Sequence, residues 1–251
     1  FTVYGKNRTF ADGVEFTMEM VADTPTEKLA NIMQSYASGW GEGIVIKQES
    51  FAADVFNKGG FTSGHDVFDA SVTGVTPAGV PTALCYDGKP FFNLSNNTRA
   101  SKGGGTYYNG LALALSSANL QTAYNLMTVT NSRDEADKKI AIKPDVLLVS
   151  PSLNFTSKVV LESEHIVNSA NNDVNVTRNL LKPLEWHYLD DADAFYIGMK
   201  GKGIVWQNRQ QPLIDFWQDE TNGSYYAKVI ARWGIRVQNW RYWIGSNFAT
   251  S

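Results

Sequence analysis

The chain has a single cysteine, Cys85, so it cannot form an internal disulfide. Its three histidines, His65, His165 and His187, lie far apart with no HExxH or CxxC partner. That leaves structural or surface roles rather than a zinc site. No stretch approaches about eighteen apolar residues, so a membrane span is not expected. Basic residues do not predominate. Lysine and arginine number 22 against 25 acidic residues, and the net charge of −3 argues against a surface for tight nucleic-acid binding. The glycine-rich run Gly198–Gly203 lacks the Lys-Ser/Thr of a phosphate loop and reads as a turn between strands. Asp190, Asp191 and Asp193 lack calcium-loop spacing and read as a hydrated turn. No nucleophile elbow, Ser–Lys pair or paired carboxylates stand out, so the sequence gives no reason to expect an enzyme or a cofactor. Cys85 reads as a small, packed apolar thiol. Asn7, Asn93, Asn96, Asn154, Asn175 and Asn222 sit in N-x-S/T sequons. No secretory signal is read at the start, so these are taken as chance products of an Asn- and Thr-rich chain.

The composition is that of a globular protein with one or two cores: 43% hydrophobic and 19% charged residues over 251 positions. Thr24-Pro25-Thr26-Glu27 reads as a capping box with proline at the first helical position. Leu29, Met33, Tyr36, Trp40, Ile44, Phe51 and Val55 then fall on one helical face. This predicts one long helix over 26–57, or two nearly collinear ones, despite Gly39, Gly41 and Gly43, with Gly59-Gly60 ending it. The three helix glycines are expected to permit close backbone approach. Before the helix, Val3–Tyr4 and Val14–Met20 read as an extended ribbon around a turn at Ala11-Asp12-Gly13.

Residues 60–110 are turn-rich. Asp66–Val72, Thr82–Tyr86 and Phe91–Phe92 are candidate short strands, Asp87-Gly88 is a turn, and Ser95–Gly110 is expected as a mobile surface loop. A helix is predicted from Ser116 or Ser117, carrying Leu120, Ala123, Tyr124 and Met127. The charged run Arg133–Lys139 is expected as a solvated loop or helix end. Val146–Val149 is a short buried strand, followed by a helix over Pro151–Glu164 with Leu153, Val159 and Val160 inward. An Asn-rich loop (168–175), a strand near Leu184–Tyr188, an aspartate turn and a strand over Ala194–Met199 complete a strand–helix–strand–turn–strand unit. Ile204–Trp206 and Leu213–Trp217 read as strands, Asn222-Gly223 as a hairpin turn, and Tyr225–Val237 as an alternating strand with a bulge at Gly234. Its alternation places Val229, Ala231 and Trp233 on one face, and Ile230 and Arg232 on the other. No linker divides the chain.

The order "IKPDVLLVSPSLNFTSKVVLESE", "SANNDVN", "LDDADAFYIG" and later "VWQNRQQPLIDFWQD" with "YYAKVIARWGIRVQNWR" resembles the major capsid protein of tailed bacteriophages. The resemblance covers residues 40–247 and is strongest from Lys143 onward. It implies an α+β Hong Kong 97-type capsid fold with a long spine helix, a peripheral sheet domain, an axial α/β domain and an extended N-terminal loop. On that division, 1–22 is the loop that overlaps a neighbouring subunit. Residues 23–59 carry the spine helix, 60–205 form the axial domain, and 206–251 supply the peripheral hairpin and closing strand. Because the chain starts at Phe1 rather than Met, an N-terminal part is expected to be missing.

The implied function is self-assembly into hexamers and pentamers of an icosahedral head around double-stranded DNA, enclosed but not sequence-specifically bound. Further partners would be scaffold, portal and decoration proteins, with no membrane. The implied setting is the virion, assembled in the host cytoplasm. Tryptophan, tyrosine and arginine are enriched at interface anchors. The resemblance puts Val3, Tyr4 and Phe16 in the overlapping loop, and with Arg209, Trp217 and Arg232 they are the candidate assembly residues. An encapsulin-like compartment shares the implied fold. The alternative from another class is a monomeric sugar- or ligand-binding domain, suggested by the aromatic residues of the tail.

Overall fold

The computed structural model describes residues 7–61, 85–166 and 173–250. In chain order the elements are β1 (Arg8–Phe16), α1 (Met18–Asp23), α2 (Thr26–Asn57), β2 (Arg99–Ala100), β3 (Thr106–Tyr107), β4 (Gly110–Leu111), α3 (Ser117–Asn125), β5 (Val146–Val149), α4 (Asn154–Glu162), β6 (Lys182–Glu185), β7 (Phe195–Gly198), β8 (Ile204–Gln218), β9 (Tyr225–Val237) and β10 (Trp243–Ser246). They form two compact units. The expectations for Val3–Tyr4, Asp66–Val72, most of Thr82–Tyr86 and most of the Asn-rich loop fall outside the described residues.

One unit comprises residues 7–50 and Trp206–Ile235. Its sheet has the order β1-β9-β8. The antiparallel β1–β9 register runs unbroken from Arg8↔Trp233 to Phe16↔Tyr225. The turn expected at Ala11-Asp12-Gly13 does not form, and these residues pair with Ile230, Val229 and Lys228. Asp12 is held in the strand because its carboxylate accepts the Trp40 indole N–H at 2.8 Å. The expected ribbon also stops early. Thr17 accepts from Met20 N at 3.2 Å, caps α1, and turns Met18–Asp23 helical.

Helix α2 runs unbroken through Gly39–Gly43 and matches the predicted span. Pro25, rather than Thr24, directly precedes it, with its carbonyl accepting from Leu29 N at 3.0 Å. Phe16, Trp40, Ala227 and Val229 form the buried core beneath it, with Val14, Leu29, Ile32, Met33 and Ile44 packed around them. Tyr36 is less covered than its place on the stripe suggested, at 44% exposed. Among the described residues the glycines serve no close approach, because a methyl added at Gly39, Gly41 or Gly43 would meet none of them within 4 Å.

The second unit comprises the described residues within Phe51–Val205 and Arg236–Ser251. A mixed sheet of order β4-β10-β7-β5-β6 runs through it. β5 pairs in parallel with β6 and antiparallel with β7, as expected of the strand–helix–strand–turn–strand unit. Every residue of β5, β7 and β10 is buried, because both sheet faces are covered. Leu147, Val149, Phe195, Ile197 and Ile244 pack with Leu120, Ala123 and Met127 of the α3 region and with Val160 and Leu161 of α4. Tyr196 and Trp243 instead meet Phe56, with ring centroids 5.2 and 5.0 Å away, and Phe92 joins them.

Val159 is 47% exposed, and Leu161 takes the inward place. The strand after the Asn-rich loop begins earlier, at Lys182. Phe91–Phe92 is not a strand. Gly59 and Gly60 do not end α2 through a left-handed cap. A side chain at either would clash with Phe92 or Phe248, so they are needed for close packing. Ser95–Gly110 is anchored rather than loose. It folds into the β2–β3 hairpin around a buried Arg99, which pairs with Asp87 at 2.5 Å.

Candidate functional site

In the three-stranded sheet, residues facing α2 alternate with residues that face away from it. Thr9, Ala11, Gly13 and Glu15 of β1 lie opposite Arg232, Ile230, Lys228 and Tyr226 of β9. These pairs share one face, because paired residues point the same way and successive residues alternate. The predicted division of β9 holds: Val229, Ala231 and Trp233 are 4%, 1% and 0% exposed, whereas Ile230 and Arg232 are only partly covered. The β8–β9 turn positions Asp219 N to donate to the Ser224 carbonyl at 2.9 Å, with Gly223 at φ +70°. This sets Trp217 against Tyr226, stacked at 5.4 Å, and Asp215 against Lys228 at 3.3 Å. Lys228 also sits over the Trp217 ring at 4.6 Å. Tyr226 donates its hydroxyl to Glu15 at 2.8 Å.

The result is an ordered aromatic-and-charged surface on which Trp217 remains 42% exposed. β8 is one continuous strand rather than two, and it tolerates Pro212 because it lies at the sheet edge. Arg209 is exposed on the same strand. At a two-residue period it shares the face of Asp215 and Trp217. Arg232 is partly covered, and its buried Nε has no hydrogen-bond partner among the described residues.

Arg209 and Trp217 of β8 and Arg232 of β9 thus lie on one sheet face. Phe16 does not join them. It is 2% exposed, on the opposite face against Trp40, so its own chain already covers it and its expected interface role is withdrawn. Val3 and Tyr4 lie outside the described residues. The sequence reading missed Glu15, Asp215, Tyr226 and Lys228. The alternation that selects Arg232 also contains Tyr226 and Lys228, whereas Trp217 and Asp215 join them only through the hairpin register.

Among the described residues of the second unit, polar clusters form around Asp137 and around Arg241. Asp137, on a residue with φ +60°, accepts from Ser101, Tyr107 and Gly105 N at 2.7, 2.7 and 2.9 Å. Those bonds, the Ser101 hydroxyl's first, hold its carboxyl below the usual aspartate range. Arg241, 4% exposed, donates from Nη1 to Glu135 at 2.7 Å. The run Arg133–Lys139 is therefore a tied-down turn rather than a solvated loop. Cys85 is buried, and desolvation pushes its thiol up to about 11. These groups brace loops and include no nucleophile poised beside a base. Two sequon asparagines, Asn93 and Asn175, are also buried, and Asn175 donates to the Val160 and Ser163 carbonyls.

A model of the family described as "Phage capsid protein" matches residues 2–249. No curated protein matches the chain. Among solved structures, the chain is similar to one from Mycobacterium phage Patience, with a TM-score of 0.59 at 10% identity over 100% of this chain and 71% of that one. It is also similar to the capsid structure of the cyanophage P-SCSP1u, with a TM-score of 0.54 at 8% identity over 99% of this chain and 74% of that one.

Proposed function

The chain belongs to the phage capsid protein family, and from that premise we propose that the uncovered face of the β1-β9-β8 sheet joins its copies into a shell. It is a structural capsid protein with the mixed helix-and-sheet, Hong Kong 97-type fold. Its work is association rather than bond-making. In this reading, copies gather into hexamers and pentamers of an icosahedral head. The head forms in the host cytoplasm and encloses double-stranded DNA without reading its sequence. Scaffold, portal and decoration proteins are its further partners. In this reading the unit of residues 7–50 and 206–235 is the peripheral domain, and the unit of the described residues within 51–205 and 236–250, which includes β10, is the axial domain.

The observation that carries the interface reading is the partly exposed Trp217, held by Tyr226 and Lys228 on a face that also bears Arg209 and Arg232. A preordered aromatic held by Lys228 and Tyr226 has the composition of an interface anchor and loses little side-chain freedom on contact. The net charge of −3 suits a shell that must contain DNA without adhering to it. Arg232→Ala tests the reading. Shell yield or shell thermal stability falls, while the circular dichroism of the unassembled subunit is unchanged. A variant that unfolds as a subunit makes Arg232 a residue of the fold, and shells of unaltered stability remove it from the interface.

A further inference from the structure

The sequence holds two Asn-Gly pairs, Asn109-Gly110 and Asn222-Gly223. Glycine carries no side chain to hinder its own backbone nitrogen, so at such a pair that nitrogen most readily attacks the asparagine side chain before it. The two pairs differ in what holds them. Asn109 is 0% exposed, and its carboxamide donates to the Phe91 and Trp243 carbonyls and accepts from Asn93 N. Asn222 is exposed at the β8–β9 turn. We propose that Asn222 is a site of spontaneous deamidation, and that its product disables the sheet face described above. The second half of the proposal rests on the shell reading.

The reaction needs only water. Gly223 N attacks Asn222 Cγ, the Cγ–Nδ2 bond breaks, and Nδ2 leaves as ammonia with the glycine amide proton. Water then opens the succinimide at either carbonyl, giving aspartate or isoaspartate with no change of oxidation state. The closed turn slows this attack without preventing it. Gly223 N is engaged with the Asp219 carbonyl at 2.8 Å, and Asn222 Oδ1 accepts from Ser224 N at 2.9 Å. Both bonds belong to a surface turn, where local opening costs little.

The consequence follows from counting protons. Asn222 Nδ2 donates to the Tyr226 hydroxyl at 3.2 Å, and that hydroxyl donates to Glu15 at 2.8 Å. A carboxylate at position 222 can only accept. The single Tyr226 proton then faces two carboxylates, and the relay from residue 222 to Glu15 is broken. Tyr226 is the ring on which Trp217 stacks. Isoaspartate also lengthens the turn backbone by a methylene and displaces Gly223 N from the Asp219 carbonyl. Deamidated subunits are therefore left out of shells.

The test ages the full chain in mildly alkaline buffer, folded and in denaturant, and follows positions 222 and 109 by peptide mass spectrometry. Asn222 should react in both states, about tenfold more slowly when folded, and Asn109 only in denaturant. A partly aged sample is then assembled, and shells are separated from residual subunits by sedimentation. Shells should hold severalfold less modified 222 than the subunits left behind, and Asn222→Asp should lower shell yield. No reaction at Asn222 in the folded subunit, or equally fast reaction at Asn109, overturns the site. Equal modification in shells and residual subunits overturns its effect on assembly, and if Arg232→Ala still weakens those shells, the shell reading stands. Absence of shells from the unaged chain overturns the shell reading and the second half of the proposal with it, while the mass spectra still decide the first.

Discussion

At the scale of single residues, the buried polar groups carry most of the specific bonding. Arg241 is almost wholly covered and Glu135 neutralises it at 2.7 Å. Removing one member of such a pair strands a desolvated charge. Glu135→Ala is expected to cost about 3 kcal/mol in chemical denaturation, whereas truncating the exposed Arg178–Glu164 pair costs under about 1 kcal/mol. Cys85 gives a second prediction. Burial raises its thiol pKa from 9.0 to about 11. The folded state therefore holds that proton more tightly, a contribution fully present below pH 9 and lost as pH rises towards 11. The thiol should resist alkylation at neutral pH while the chain is folded and react once it is denatured. Comparable labelling rates in the two states would show that Cys85 is not shielded.

At the scale of elements, much of the chain was legible in its residue spacing, and the exceptions have particular causes. α2 was readable because its apolar stripe keeps phase across three glycines. Ser116 announces α3 and accepts from Asn119 N as an N-cap should. β5, α4, β6 and β7 follow from one apolar run, one proline and one aspartate turn. β1 was misread because Asp12-Gly13 looks like a turn, whereas the pairing with β9 and the distant Trp40 hold Asp12 in the strand. The β2–β3 hairpin was hidden because a buried arginine carries no hydrophobic signal. On the candidate face, Arg232 and Trp217 were visible as residue types, whereas their shared face depends on hairpin register.

Two predictions belong at this scale. Gly41→Ala adds a methyl that touches nothing, so it should stabilise the subunit by about 1 kcal/mol through helix propensity alone. Asp137 ties Ser101, Gly105 and Tyr107 together, and its folded pKa is lowered. Its contribution is complete above the usual aspartate range and disappears as pH falls through the lowered value. Hydrogen exchange at the Gly105 amide should quicken over that acidic range, and should not do so in an Asp137→Asn variant.

At the scale of the whole molecule, the first segment matters to more than assembly. An arm held only at its Ala22–Pro25 junction would be dispensable for folding, but β1 is paired with β9 along its full length, and Phe16 is a core residue. Deleting residues 1–16 should therefore uncover Trp40 and Val229 and reduce the cooperativity of unfolding, besides removing contacts with a neighbour. The central claim is that copies meet through the open face of the β1-β9-β8 sheet. An electron-microscopy reconstruction of particles assembled from this chain tests it most directly. The account predicts closed shells in which Trp217, Lys228 and Arg232 are covered by an adjacent subunit. Shells with that face open to solvent, or a preparation of dispersed single chains, would contradict it.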